Sequence, residues 1–191
     1  MTPARLLEHF DRLAEAPDAI PRLRRFILDL AVRGKLIEQD TESKYELLRQ
    51  IDSKRKSLCM QENQNKIKRM RPIEEHEIPS SYKNISHFDR LGNVATLHKG
   101  LTGIQSALPG KYPLVVTAEA RLTCDHYDFD CPAVLIPMVS STGHGHASIH
   151  RIHYQAGKFA AGSILCVIVP AAEHLISARF IYEYLSAYKD E

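Results

Sequence analysis

The chain has 191 residues, enough for one substantial core, or for one core with a helical appendage. Its 25 Lys and Arg nearly balance 23 Asp and Glu, so charge alone neither demands nor excludes nucleic acid. No apolar run approaches the ~20 residues of a membrane span, the charged N-terminus MTPARLLEHFDRL excludes a secretory signal, and four Cys without CxxC spacing read as reduced thiols of a cytoplasmic protein.

Thr2 and Pro3 make a helix start, and Leu6, Leu7, Phe10, Leu13 and Ala14 then form a stripe that breaks near Ala16–Asp18. Next comes AIPRLRRFILDLAVRGKLIEQD. Here Ile20, Leu23, Ile27, Leu30 and Ala31 recur at helical spacing, and Gly34 stands where a C-terminal cap belongs. From Lys35 to Arg71 there is no Gly or Pro, and ten Lys and Arg face six Asp and Glu. Tyr45, Leu48, Ile51 and Leu58 make a narrow seam within that run, suited to a coiled-coil-like contact. A breaker-free helix of ~30 residues would span about 45 Å. Pro72 to Pro79 (PIEEHEIP) reads as a linker, which divides the chain into a helical region, 1–71, and a second domain, 72–191.

Downstream, β-branched residues gather and turns multiply. Asn93–Leu97, Tyr112–Thr117, Ala133–Ser140 and Ser163–Val169 read as strands. Ser177 caps a closing amphipathic helix that carries Phe180, Ile181, Tyr184, Leu185 and Tyr188. The expected fold class is mixed α+β, with N-terminal helices, then a β-rich domain closed by a C-terminal helix.

Catalytic motifs are missing. There is no glycine-rich phosphate loop, GxSxG or HExxH, nor the Asn/Asp-Pro-Pro-aromatic run of amino-methyltransferases. Asp125, Asp128 and Asp130 lack EF-hand spacing and read as a polar loop. A zinc site built on Cys124, His126 and Cys131, with His144, His146, His150 and His153, is the sharpest rival. His146 and His150 have ligand spacing, but Cys124 and Cys131 are too far apart. His150 and His153 fit better as residues alternating with Ile149 and Ile152 on a polar strand face.

The positive signal is an absence of carboxylates. From Cys131 to Ala172 there are 42 residues without Asp or Glu, where the chain average predicts about five. Arg90–Ala118 is a second such window. Glycine-opened loops in both, rich in Ser, Thr, Gln and cations, suit approach to a phosphate backbone. Lys99, Lys111, Arg121, Arg151 and Lys158 are the candidate phosphate contacts. Thr102 lies in the same loops, and Gln105, Ser140, Ser141, Thr142, His144 and His146 are the candidate base-side contacts. Against this, residues 79–191 hold nine Lys and Arg and nine Asp and Glu, so no basic excess marks the domain.

Several segments together resemble the specificity (S) subunits of type I restriction–modification systems. AIPRLRRFILDLAVRGKLIEQD and the charged run after it are similar to their helical spacer. EIPSSYKNISHFDRLGNVATLHKG resembles the entry to a target-recognition domain, with Tyr82 where that family usually shows Trp. KYPLVVTAEARLT, VSSTGHGHASIHRIHY and SARFIYEYLSAYKDE resemble its strands, glycine loop and closing helix. The resemblance implies a non-catalytic subunit that reads double-stranded DNA in the major groove. Its helices would hold the methyltransferase (modification) subunit beside a restriction (translocase/nuclease) subunit, directing their methylation and cleavage. It also implies no cofactor in this chain, S-adenosylmethionine being bound by the methyltransferase partner, and no membrane. Because complete members resemble two such halves, the expectation is a half subunit. The alternatives are a stand-alone zinc-dependent nuclease or hydrolase, and a helical protein-interaction adaptor.

Overall fold

The computed structural model describes residues 3–10, 17–33, 35–36, 41–61, 70–78, 89–138 and 151–187. The chain divides into two units, Met1–Thr41 and Glu42–Glu191, upstream of the expected boundary at Arg71. Among the described residues, no helix is long and apolar enough to cross a membrane.

The first unit contains helix α1 (Pro3–Glu8) and helix α2 (Ala19–Val32). Asp18 precedes α2 with φ 58°, a left-handed conformation that Asp tolerates better than most residues. Leu30 is buried and Leu23 and Phe26 half-buried, whereas Ile20 and Ile27 are exposed, so the covered stripe is narrower than the sequence suggests. The Arg33 side chain pairs with Asp29 at 2.8 Å, and the Lys35 N–H donates to the Leu30 carbonyl at the helix end. The expected cap, Gly34, lies outside the described residues.

The second unit opens one residue into helix α3 (Thr41–Gln61), whose 21 residues extend about 32 Å at the usual rise. Of the Lys35–Arg71 run expected as one longer helix, residues 37–40 and 62–69 lie outside the described residues, and Lys35, Leu36, Met70 and Arg71 are not helical. Within the seam Ile51 is buried, Leu48 half-buried and Tyr45 70% exposed; the Leu58 side chain is not described. The expected linker is tied down. Residues Glu75–Glu77 form a 3-10 turn closed by a Glu74–Glu77 capping box. Arg90 donates to the Arg71 and Pro72 carbonyls and pairs with Glu77 at 2.7 Å. The Met70 N–H donates to the Asn93 side chain, and Asn93 in turn donates to Asp89. Those bonds hold Leu91–Val94 as a short helix, α4, where a strand was expected to start.

Eight strands follow among the described residues: β1 (Ala95–Lys99), β2 (Tyr112–Val115), β3 (Leu122–Cys124), β4 (Phe129–Asp130), β5 (Ala133–Pro137), β6 (His153–Gln155), β7 (Lys158–Ala161) and β8 (Leu165–Pro170). They form two four-stranded sheets, ordered β1-β8-β5-β6 and β3-β2-β7-β4. Every pairing is antiparallel except β2 with β7. Alternation along each strand sorts side chains to opposite faces. Val115, Leu135, Phe159, Ala161, Leu165 and Val167 fill the space between the sheets. Val134 and Ile168 point outward and meet Ala178 and Ile181 of the closing helix α5 (Ala178–Ala187). On the outer face of the second sheet, Leu114, Val116, Cys124 and Ala160 are covered by Ala107. Ser177 caps α5 as expected, its hydroxyl accepting the Phe180 N–H at 3.0 Å. Fold class is therefore mixed α+β.

One strand reading needs correction. His153 is buried rather than on a polar face: it stands opposite Leu135 across the β5–β6 pair, on the side facing the core between the sheets. Ile152, expected to be the buried partner, packs on the α5 side.

Candidate nucleic-acid interface

The loop from β1 to β2 crosses the outer face of the second sheet, and its glycines explain how closely it runs. A Cβ on Gly100 would collide with the Gly162 carbonyl oxygen, and one on Gly110 with the backbone of Cys124 and Asp125. Backbone bonds close both ends. Gly100 donates to the Leu165 carbonyl, Thr102 bridges to Gly162, and the Asp125 N–H donates to the Leu108 carbonyl. The Gly100–Gly110 loop and the turn at residues 125–128 are thus held together.

At the near end of β2 the sequence places Lys111 before Tyr112. The Lys111 ammonium sits 4.9 Å from the centre of the Tyr112 ring. Tyr112 and Tyr127 lie 5.0 Å apart at a tilt of 60°. The Lys158 ammonium sits 4.6 Å from the Tyr127 ring centre. Two neighbouring phenol rings with a cation at each end therefore make one strip. Its geometry follows from register, since β2 runs parallel to β7 and places their first residues at one end of the sheet. The hydrogen bond with the Tyr127 hydroxyl, and then the nearby Asp130 charge, raise the Lys158 pKa above its ordinary value. Such a strip offers point charges for phosphate and flat faces for sugars or bases. Tyr112 and Tyr127 escaped sequence reasoning: Lys111–Tyr112 adjacency was a visible signal, but Tyr127 needed the tertiary fold.

Beside the strip lies a polar relay. The Thr102 hydroxyl donates to Asp128 at 2.8 Å and sits 3.1 Å from His126 Nε2. Asp128 also accepts the Ala161 N–H. On the other edge of the ring, Nδ1 lies 2.7 Å from Asp125 Oδ1 and 3.3 Å from Cys124 Sγ. The hydrogen bond to His126 holds the Asp125 carboxyl below its ordinary pKa.

These contacts correct two expectations. Thr102 is buried and its hydroxyl belongs to Asp128, so it anchors the loop instead of touching a ligand. Nor is the neighbourhood free of carboxylates: Asp130 stands opposite Lys158 in the β4–β7 pair, and Asp125 borders the same turn. The two acid-free windows of sequence are separated in the chain by the very acids that fold back between them.

The remaining candidates scatter. Lys99 ends β1 and is exposed, and Gln105 is exposed in the 104–106 turn. Arg121 and Arg151 gather at the far end of β2. Arg151 donates to the Thr117 carbonyl at 3.4 Å. Arg121 is half-buried against His153 Nδ1, the Gln155 side chain and the Tyr154 carbonyl, and burial draws its pKa down. Ser140, Ser141, Thr142, His144 and His146 lie outside the described residues.

Comparison with known proteins gives one informative match. Over 99 residues the chain is 34% identical to the type I restriction enzyme EcoAI specificity subunit of Escherichia coli; these make up 51% of this chain and 17% of that protein. No family model matches, and no solved structure does.

Proposed function

We propose that this chain recognises DNA sequence within a type I restriction–modification system, as a part or relative of a specificity subunit. The 99-residue match to such a subunit is the observation that carries the reading. The Lys111, Tyr112, Tyr127 and Lys158 strip supports it, because sequence-independent affinity for DNA comes chiefly from cations placed against phosphates. Base reading is assigned to the neighbouring loops, with Gln105 as its described member and the 140–146 segment as the rest. Lys99 and Arg151 are further phosphate contacts on this account.

The chain itself performs no chemistry in this reading. Methylation and cleavage fall to a methyltransferase subunit, which binds S-adenosylmethionine, and to a restriction subunit, in the cytoplasm. The charged helix α3 and the helices before it are the surfaces assigned to those partners. Titration of fluorescent duplex DNA at several salt concentrations tests the central point. Binding that weakens steeply with salt is expected; no binding at low salt contradicts it and favours the helical adaptor.

A further inference from the structure

The two nitrogens of the His126 ring meet different kinds of partner. The Asp128 carboxylate offers acceptors to the Thr102 hydroxyl and the Ala161 N–H. Thr102 therefore spends its single hydrogen on Asp128, and its oxygen accepts from His126 Nε2–H across 3.1 Å. With Nε2 turned to Thr102, the Nδ1 edge of the ring is the one left facing Asp125 and Cys124. Nδ1 lies 2.7 Å from Asp125 Oδ1, with the buried Cys124 sulfur 3.3 Å away. An imidazole nitrogen, a carboxylate oxygen and a sulfur thus meet at one point, a donor set that suits a borderline-soft divalent cation.

We propose that Cys124 Sγ, Asp125 Oδ1 and His126 Nδ1 bind a zinc-class divalent ion. Their separations are 2.7, 3.3 and 3.6 Å, and all lie within 4.8 Å of one another. Tetrahedral zinc ligands at bond lengths of ~2.0–2.3 Å stand about 3.3–3.6 Å apart, so a small opening of the Asp125–His126 contact completes the triangle. The donor set is right for that metal: one sulfur, one imidazole nitrogen and one carboxylate oxygen. Half-exposed Asp125 and His126 side chains give the ion a path in and leave its fourth position to water. The Thr102–Asp128 relay on Nε2 is the outer support that metal-bound imidazoles commonly have. Cys131, the second cysteine that sequence spacing suggested, is not in the group. On binding, the Cys124 S–H proton passes to solvent and the sulfur–metal bond replaces it. All three ligands come from consecutive residues, so the ion fixes the start of the turn that carries Tyr127. This inference does not depend on DNA recognition, and a failed DNA titration leaves it standing.

The test loads the full chain with Co(II), removes excess, and records metal content and the thiolate-to-cobalt charge-transfer absorption. One ion per chain with that band is expected. The band disappears in Cys124→Ser and His126→Gln; in Asp128→Asn it persists while affinity falls roughly 10- to 100-fold. Lys111→Ala binds as the parent does. Folded parent chain without the band overturns the proposal. So does binding by Cys124→Ser as tight as the parent's, which would mark an adventitious ion only. Circular dichroism identifies a variant that has lost its fold, and the parent chain's own spectrum then decides the matter.

Discussion

At the scale of single residues, the strip of Lys111, Tyr112, Tyr127 and Lys158 makes the most specific claims. If both ammonium groups touch phosphate, Lys111→Ala and Lys158→Ala each weaken binding to any duplex. Each also flattens the salt dependence by about one unit of slope. Slopes unchanged in both variants would remove the strip from the interface. Gln105→Ala is expected to change which sequence is preferred and to leave the salt slope alone. His153 makes a separate prediction about acid stability. Burial first, then the Arg121 and Arg151 charges, lower its pKa from the ordinary 6.5. The unfolded chain thus takes up this proton more readily than the folded one. Stability from a neutral His153 is present above pH 6.5 and declines as pH falls toward the lower, folded value. Melting temperature measured against pH reports it, with His153→Gln showing a shallower loss between neutrality and mild acid. The buried, unpartnered Nε2 of His153 makes the same site sensitive to any added charge.

At the scale of elements, the strongly patterned pieces were legible in the sequence and the short ones were not. Helix α2, helix α5 with its Ser177 cap, and the apolar strands β2, β5 and β8 follow from periodicity and turn residues. Ser177→Ala should lower stability by about 1 kcal/mol, through the lost cap of α5. Strands β3, β4, β6 and β7 run two to four residues and carry residues such as Asp130, His153 and Lys158. Pairing partners distant in sequence create them, so no local pattern announces them. β7 shows the consequence: Phe159 is fully buried between the sheets and stacks on Phe129 at 5.3 Å. Phe159→Ala is expected to cost about 3–5 kcal/mol in chemical denaturation. The segment read as a linker follows the same lesson. PIEEHEIP has the composition of a connector, but Arg90, distant in sequence, ties it down through Glu77 and two carbonyls. Limited proteolysis should cut Arg90→Ala within residues 70–78 faster than the parent chain, and equal rates would deny that tie a structural role.

At the scale of the whole molecule, the candidate site was half visible. Composition named Lys111 and Lys158, which lie at one end of the second sheet, whereas Gly100 and Gly110 serve the packing of the chain against its own backbone. It could not show that Thr102 turns inward, that Arg121 serves His153, or that Asp128 and Asp130 return between the acid-free windows. Those facts belong to chain topology: the crossing from β3 to β4 carries residues 125–128 past the ends of β2 and β7. The partner assignment also lives at this scale. Copurification with a cognate methyltransferase subunit is expected to survive Lys111→Ala and Lys158→Ala and to weaken when the exposed face of α3 is recharged, for instance by Arg49→Glu. The central claim, that this chain reads DNA sequence, meets its most direct test in selection from a random duplex library at low salt. Bound duplexes sharing one short motif, shifted or blurred by Gln105→Ala, are the predicted result. Recovered duplexes as random as the starting pool would contradict it.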